Sequence, residues 1–265
     1  MPFHLAQISD PHLVADPAGA VLGCPVREGL AAIVEEIGAA TRRDAPDAAL
    51  LTGDLAQDGA PASYAALGEA LRPLGAPCYA LPGNHDAPAA LRAALSSEAP
   101  FRPARAFEAG GWRALLLDST VPGETHGRFS AEALAALDEA LAARPETPTL
   151  LALHHPPVPP GAAWLDPLGL RDPEAFLDLV ETHSQVRLVL FGHVHQEMDT
   201  RHAQARLLAC PSTCFQFAPG ADAFALDADR PAGYRHLTLF PDGRFTTRVK
   251  RLDRPYALDT DASGY

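Results

Sequence analysis

Short apolar runs alternate with alanine-rich helical patterns from residue 3 to residue 191 of this chain. The six candidate strands are Phe3–Ser9, Ala48–Thr52, Cys78–Leu81, Ala114–Asp118, Thr149–Leu153 and Arg187–Phe191. The candidate helices lie near Arg27–Arg43, Ala62–Leu71, Pro88–Leu95, Ala131–Ala143 and Pro173–Thr182. Because strands that alternate with helices build a sheet covered by helices, this pattern predicts an α/β core.

Two of these helices have capping signals at their starts. Ser130 precedes Ala131 and Glu132 and is a predicted N-cap. Asp172 followed by Pro173 predicts a second cap, with proline at the first helical position.

The pattern changes after about residue 200, where candidate strands follow one another without a helix between them. These strands are Ala205–Ala209, Tyr234–Phe240 and Arg244–Lys250. The turn PDGR at 241–244 indicates a hairpin, since an Asp-Gly pair accepts a positive φ. A chain of 265 residues fits one large domain, so we expect a single domain over 1–265 with a β-rich C-terminal part.

The composition restricts the partners and the compartment. A net charge of −12 disfavours binding to nucleic acid or to an anionic membrane, because both need a basic surface. No apolar run reaches the roughly 20 residues that span a bilayer, and the start MPFHLAQISD does not resemble a secretory signal. The four cysteines are scattered, which favours packed, reduced thiols and a cytoplasmic location.

Five of the candidate strands are followed by residues that commonly bind metals. These residues are Asp10 and His12 after the first strand, Asp54 after the second, Asn84, His85 and Asp86 after the third, His154 and His155 after the fifth, and His193 and His195 after the sixth. Taken singly, such residues are more often turn, helix-cap or hydrogen-bonded loop residues than metal ligands. Because ligands gather at the carboxyl ends of strands in open α/β sheets, the whole set predicts one metal site at one sheet edge.

The kinds of ligand also restrict the metal. Imidazole mixed with carboxylate suits zinc, iron, manganese or cobalt, and the set lacks the thiolates that copper(I) prefers. Counted with one histidine of the 154–155 pair and without His85 and Asp86, seven candidate ligands exceed the three or four protein groups that one catalytic ion takes. Two ions about 3.5–4 Å apart that share a carboxylate accommodate all seven. Residues two apart on an extended segment point the same way, so His193 and His195 are expected to reach neighbouring ions.

The ordered blocks D-x-H, GD, GNHD, H-x-P and GH-x-H resemble those of the calcineurin-like metallophosphoesterases. They stand here as Asp10/His12, Gly53-Asp54, residues 83–86, residues 154–156 and residues 192–195. One departure is GDLAQDG, where many relatives have GDxxD or GDxxE, so only Asp54 is carried over from that block. The blocks TGDLAQD, LPGNHD, HHPPVPPGAAWLD, GHVHQEMD, PSTCFQF and TDASGY are further similar to bacterial class III 3′,5′-cyclic AMP phosphodiesterases.

This resemblance implies a four-layer α/β/β/α sandwich with a centre of two divalent ions, commonly iron or manganese. It assigns one ion to Asp10, His12, Asp54 and His195. It assigns the other ion to Asp54, Asn84, His154 and His193, with Asp54 bridging. His154 is chosen because the family ligand stands two residues before proline, and His155 is the alternative.

The implied activity is hydrolysis of cyclic AMP to 5′-AMP by attack of a hydroxide that bridges the two ions. His85 is the expected catalytic residue, either binding a phosphoryl oxygen or protonating the leaving oxygen, with Asp86 orienting its ring. Substrate contacts are expected from His12, Asp54, Asn84, His85 and His195. The alternative activities are a glycerophosphodiesterase and a broad phosphodiesterase; a non-catalytic module or a DNA nuclease is disfavoured.

Two further features of the substrate site and the assembly are left open by the sequence. Phe215 or Phe217 either stacks on the adenine ring or belongs to the core, and Trp164 either rims the cleft or packs inside it. The oligomeric state is also open, with a dimer as one option.

Overall fold

The computed structural model describes residues 1–40, 45–97 and 100–264. This part of the chain contains thirteen strands and five α-helices. The strands are β1 (Phe3–Ile8), β2 (Ala48–Thr52), β3 (Cys78–Leu81), β4 (Ala106–Ala109), β5 (Trp112–Leu116), β6 (Gly127–Arg128), β7 (Thr149–Ala152), β8 (Leu170–Arg171), β9 (Val186–Phe191), β10 (Met198–His202), β11 (Ala205–Ala209), β12 (Gly233–Leu239) and β13 (Phe245–Arg251). The helices are α1 (Val26–Gly38), α2 (Pro61–Leu71), α3 (Pro88–Ser97), α4 (Ala131–Ala142) and α5 (Glu174–Thr182).

The strands form two larger sheets and one small one. The first has the order β13-β12-β1-β2-β3, in which β1, β2 and β3 are parallel and the C-terminal hairpin β12–β13 is antiparallel. The second has the order β10-β11-β9-β7-β5-β4, with β11, β9, β7 and β5 parallel and both edge strands antiparallel. The pair β6 and β8 forms the small sheet.

The two larger sheets pack face to face, with the helices on their outer faces. One buried cluster contains only strand residues from both sheets, among them Leu50, Leu150 and Leu188. The neighbours of Leu50 in β2, Ala49 and Leu51, belong instead to the cluster that contains the buried helix residues. Because alternate residues of a strand face opposite sides of a sheet, this division describes four layers, α/β/β/α, as expected.

Most predicted boundaries agree with the structure to within two residues, including the hairpin turn at 241–244. Ser130 is confirmed as an N-cap, because its hydroxyl accepts a hydrogen bond from the Ala133 backbone N–H. The first helix was predicted to reach Arg43, but α1 ends at Gly38, and residues 41–44 lie outside the described residues.

The predicted cap at Asp172 is wrong. Helix α5 begins at Glu174, and Pro173 itself occupies the N-cap position, in helical conformation and without a side-chain cap. Asp172 has a φ of 50°, and its carboxylate accepts a hydrogen bond from Arg128 at 2.6 Å. The carboxylate therefore pairs with an arginine instead of with the helix N-terminus.

Within the described ranges, no helix has both the length and the hydropathy that a membrane crossing requires.

Candidate metal centre

The predicted ligands come together where the parallel strands of the two sheets end. Asp10, His12, Asp54, His154 and His195 are fully buried there, and His193 is 4% exposed. Asn84 and His85 are the half-buried members of the set. The loop after β3 therefore forms the open side of the centre.

One group of side chains collects around the loops after β1 and β9. Asp10 Oδ1 lies 3.5 Å from His195 Nε2, and His195 Nε2 lies 3.1 Å from His12 Nε2. His12 Nε2 is 3.8 Å from Asp54 Oδ2. Asp10, His12 and His195 have ligand atoms close enough together to hold one ion.

A second group collects around the loops after β3 and β7. His154 Nε2 lies 3.2 Å from Asp54 Oδ2, 3.1 Å from Asn84 Oδ1 and 3.2 Å from His193 Nδ1. Since Asp54 approaches both His12 and His154, its carboxylate stands between the two groups.

His155, the alternative to His154, has a different main contact. Its Nδ1 lies 2.8 Å from the Ser119 hydroxyl, and its Nε2 is buried. Its ring lies beside that of His193, with 5.0 Å between the ring centroids, and it belongs with His154 and His193 to a third group of potential ligands. The contacts to Asp54 and Asn84 nevertheless come from His154, so the geometry favours His154 as the ligand.

The chemistry of the buried donor atoms fits a pair of cations. The Nδ1 atoms of His195 and His154 face the carbonyl oxygens of Phe215 and Thr52, at 3.0 and 2.8 Å. A carbonyl oxygen only accepts hydrogen bonds, so each Nδ1 carries a proton, and each Nε2 presents a lone pair when the ring is neutral. These lone pairs converge with the buried Oδ2 of Asp54, which accepts no hydrogen bond. Such an arrangement is costly without positive charge between the atoms.

The pKa values show how strongly the centre attracts positive charge. Burial raises the pKa of Asp54, but the charge of the facing His154 holds it well below the usual value. Burial lowers the pKa of His154, but Asp54 raises it to about 9. Burial also lowers the pKa of His12 to about 3. A proton on His154 supplies positive charge beside the carboxylate of Asp54 near neutral pH, and a metal ion bound at Nε2 would take its place.

Backbone strain is concentrated at the same residues. Five of the seven predicted ligands lie in the left-handed region, namely Asp10 (φ 52°), His12 (46°), Asp54 (48°), His193 (67°) and His195 (47°). Such conformations are uncommon outside glycine and cost of the order of 1–3 kcal/mol each. Strain of this kind collects where a functional geometry requires it, which supports a functional origin for this cluster.

Two glycines let the loops approach closely enough to build the centre. A Cβ on Gly83 would lie 2.2 Å from Asp54 Oδ1, and a Cβ on Gly192 would lie 2.3 Å from Ser9 Oγ and 2.8 Å from Asp10 Oδ2. The absence of a side chain at Gly192 therefore lets the backbone pass close to Asp10.

Asp86 holds two loops together, whereas the sequence led us to expect that it orients the His85 ring. Its carboxylate accepts hydrogen bonds from the backbone N–H groups of Leu55, Ala56 and Gly83 and from the Tyr64 hydroxyl. It thus joins the loop after β2 to the loop after β3. His85 is placed by its own backbone N–H, which donates to Asp54 Oδ1 at 2.9 Å.

Gln57 is a supporting residue that sequence reasoning missed. Its Oε1 lies 2.6 Å from His12 Nδ1, so it fixes the orientation of that imidazole. Its signal was the block GDLAQDG, in which Gln57 stands where many relatives have an acidic residue.

Phe215 and Phe217 belong to the core, which answers the question the sequence left open. Phe217 stacks on His195 with 4.3 Å between ring centroids, and Phe215 stacks on His12 at 5.5 Å. Trp164 is half-buried against Phe217 and Phe224. These aromatic rings pack behind the candidate ligands.

Two facing sheets with imidazoles and carboxylates at their common edge define the class of metal-dependent phosphoesterases. Residues 3–197 match the family model described as calcineurin-like phosphoesterase, and the chain belongs to this family. Its members use a dinuclear metal centre, and the histidine and aspartate groups described above are able to hold metal ions.

Among curated proteins, the chain is 42% identical over 262 residues to the 3′,5′-cyclic adenosine monophosphate phosphodiesterase CpdA of Vibrio vulnificus, covering 98% of this chain and 94% of the relative. It is 40% identical to the protein of that name from Pseudomonas aeruginosa, with the same coverage of both chains. Among solved structures, a dimetal phosphatase from Danio rerio matches with a TM-score of 0.63 and 18% identity, covering 89% of this chain and 95% of that one. That structural likeness concerns the fold alone.

Proposed function

We propose that this protein is a metal-dependent phosphodiesterase that hydrolyses 3′,5′-cyclic AMP to 5′-AMP. The observation that carries the proposal is its similarity, over 94% of their length, to relatives with that name. The complete set of candidate ligands at one sheet edge supports it, because a phosphoesterase needs such a centre to be active. We further propose a cytoplasmic location, which agrees with four free, buried cysteines.

For the metal centre, we propose the following assignment. Asp10, His12, Asp54 and His195 hold one ion, and Asp54, Asn84, His154 and His193 hold the other. Iron and manganese are the proposed metals, since imidazole mixed with carboxylate suits both. The position of Asp54 between the two groups supports its role as the bridging ligand.

Divalent ions in such a centre supply positive charge to the phosphoryl oxygens and lower the pKa of water to about 7. The protein's own contribution is orientation: Thr52, Gln57 and Phe215 fix the imidazole rings by accepting from Nδ1. An imidazole held in one tautomer presents its Nε2 lone pair without further reorganisation.

His85 is the proposed catalytic residue. It is half-buried on the open side, and its ring meets that of His12 edge-on with 5.0 Å between centroids. From there it reaches a phosphoryl oxygen, or donates a proton to the leaving 3′ oxygen, while its backbone is held by Asp54. General-acid assistance of this kind contributes about 10²–10⁴ in rate.

The test is elemental analysis of the purified protein combined with kcat/KM for four phosphodiesters. Cyclic AMP, cyclic GMP, glycerophosphocholine and bis(p-nitrophenyl) phosphate separate the proposed activity from a glycerophosphodiesterase and from a broad phosphodiesterase. We expect about two bound metal ions per chain and the highest kcat/KM for cyclic AMP. If cyclic AMP ranked among the poorest of the four, the proposal would be wrong.

A further inference from the structure

The aromatic residues nearest to the metal centre have no face available to a nucleobase. Phe215 is fully buried and Phe217 is 1% exposed, and both rings pack on candidate ligand histidines. A purine attached to a phosphate at the metal centre must therefore find its apolar contacts on another wall.

A candidate wall includes Pro82 and Pro88, which flank the loop that forms the open side of the centre. A cavity of about 240 Å³ is bounded by helix α3, the end of β3 and the segment that leads into β4. Most of its lining is aliphatic, and the residues concerned are Ala80, Leu81, Pro82, Pro88, Leu91, Leu95, Pro103, Ala104 and Leu116. The volume is smaller than the roughly 300–1,000 Å³ of a site for a whole ligand, and it suits one ring system of a larger molecule.

The lining of the cavity is connected through the chain to the open side of the metal centre. Pro82 and Pro88 line it, and between them in the chain stand Asn84 and His85, the half-buried residues of the centre. Across the cavity, Asp118 precedes Ser119, the residue that contacts His155. A molecule bound over Asn84 and His85 thus has the cavity beside it.

The rim of the cavity offers donors that suit a nitrogen heterocycle. Arg92 and Arg105 both line it and are exposed, and neither forms an ion pair within the residues that the structure describes. A guanidinium group stacks on aromatic rings and donates hydrogen bonds to ring nitrogens. Aliphatic walls with arginine at the rim therefore match a planar, electron-rich base.

We propose that this cavity binds the purine base of the substrate, with the aliphatic side chains against its faces and Arg105 at its edge. The proposal rests on the proposed function, since it takes the substrate to be a cyclic purine nucleotide. It assigns base recognition to the elements β3, α3 and β5 and leaves the PSTCFQF segment to support the metal ligands.

The experiment compares Ala104→Trp, which fills the cavity from its half-exposed side, with Ala135→Trp, the same change at an exposed position of α4. Arg105→Ala is the second variant, because it removes a rim contact without adding bulk, and Arg254→Ala is its control in an exposed loop. Adenosine, which has the purine but no phosphate, is titrated into each metal-loaded protein and followed by saturation-transfer NMR. KM for cyclic AMP and metal content are measured in parallel.

We expect Ala104→Trp to lose adenosine binding and to raise KM for cyclic AMP about 10- to 100-fold, the effect of losing the buried apolar surface of one ring. Arg105→Ala should show a smaller change in the same direction, whereas both controls and all metal contents should match the wild type. Adenosine that binds equally to wild type and Ala104→Trp, or to neither, would overturn the inference. A third outcome separates the two proposals: the wild type binds adenosine and Ala104→Trp does not, but the wild type does not hydrolyse cyclic AMP. That outcome would support the cavity as a purine site and refute the proposed function.

Discussion

Replacing Gly83 with alanine should disable the metal centre although it replaces none of the proposed ligands. The new Cβ would lie 2.2 Å from Asp54 Oδ1 and 2.3 Å from the Asp54 backbone nitrogen. Real Cβ atoms do not approach closer than 3.0 Å, so the two loops must separate by about 0.8 Å. Because one of the contacts is with backbone, a side-chain rotation cannot relieve it.

A displacement of this size exceeds what a metal site accommodates. Ligand distances vary by about 0.2 Å between sites of one kind, and a misplacement of about 1 Å costs about 10²-fold in rate. We therefore expect Gly83→Ala to lower kcat/KM for the best diester about 100-fold and to lower the bound metal per chain. Overpacking should also cost about 1–3 kcal/mol, which lowers Tm by about 3–10 °C in a chain of this size.

The matched control is Gly38→Ala at the end of α1, where a new Cβ meets no atom of the described residues within 4 Å. Alanine favours helix more than glycine does, so this variant should be unchanged or up to about 1 kcal/mol more stable, with full activity. Elemental analysis, thermal unfolding and steady-state kinetics on both variants complete the test. A Gly83→Ala protein with wild-type metal content and kcat/KM would show that the approach of these loops does not position Asp54.

Three other perturbations test separate parts of the site. His85→Ala should keep full metal content and lose about 10²–10⁴ in kcat, and a fully active variant would remove its catalytic role. His195→Gly should melt about 2–4 °C above His195→Ala in metal-free buffer, because glycine adopts the φ of 47° at that position without strain; equal Tm values would argue against stored strain. Tyr64→Phe should lower the free energy of unfolding in urea by about 1–3 kcal/mol. The change leaves the Ala87 N–H without its acceptor and removes a donor to Asp86. An unchanged unfolding midpoint would contradict the role of these hydrogen bonds.

The strands that carry the site were predictable because they are buried on both faces. Every residue of β2 and β7 is buried, and such strands appear in the sequence as continuous apolar runs. The edge strands β4 and β10 were not predicted. Met198–His202 is polar and half-exposed or exposed throughout, so its strand structure depends on pairing with β11 and has no local signal.

The residue types at the site were also visible in the sequence, whereas the supports that place them were not. Asp86 was recognised as part of GNHD, but its role depends on a tyrosine and on backbone groups 22 to 31 positions away in the chain. Contacts of this kind follow from how the loops fold against each other. The spacing of residues along the chain therefore does not reveal them.

The prediction for His193 and His195 rests on a backbone geometry that differs from the one in the structure. Their spacing was expected to direct both rings the same way from an extended segment, but both residues have left-handed φ values, 67° and 47°. Between them Val194 is fully buried, and the His193 backbone N–H donates to Asp10 at 3.0 Å. The orientation of the two rings is therefore fixed by two strained residues on either side of the buried Val194. The His193 ring contacts His154, and the His195 ring contacts Asp10. Each ring belongs to a different group of candidate ligands. We therefore infer that the strained backbone at His193 and His195 directs the two imidazoles to these neighbouring groups.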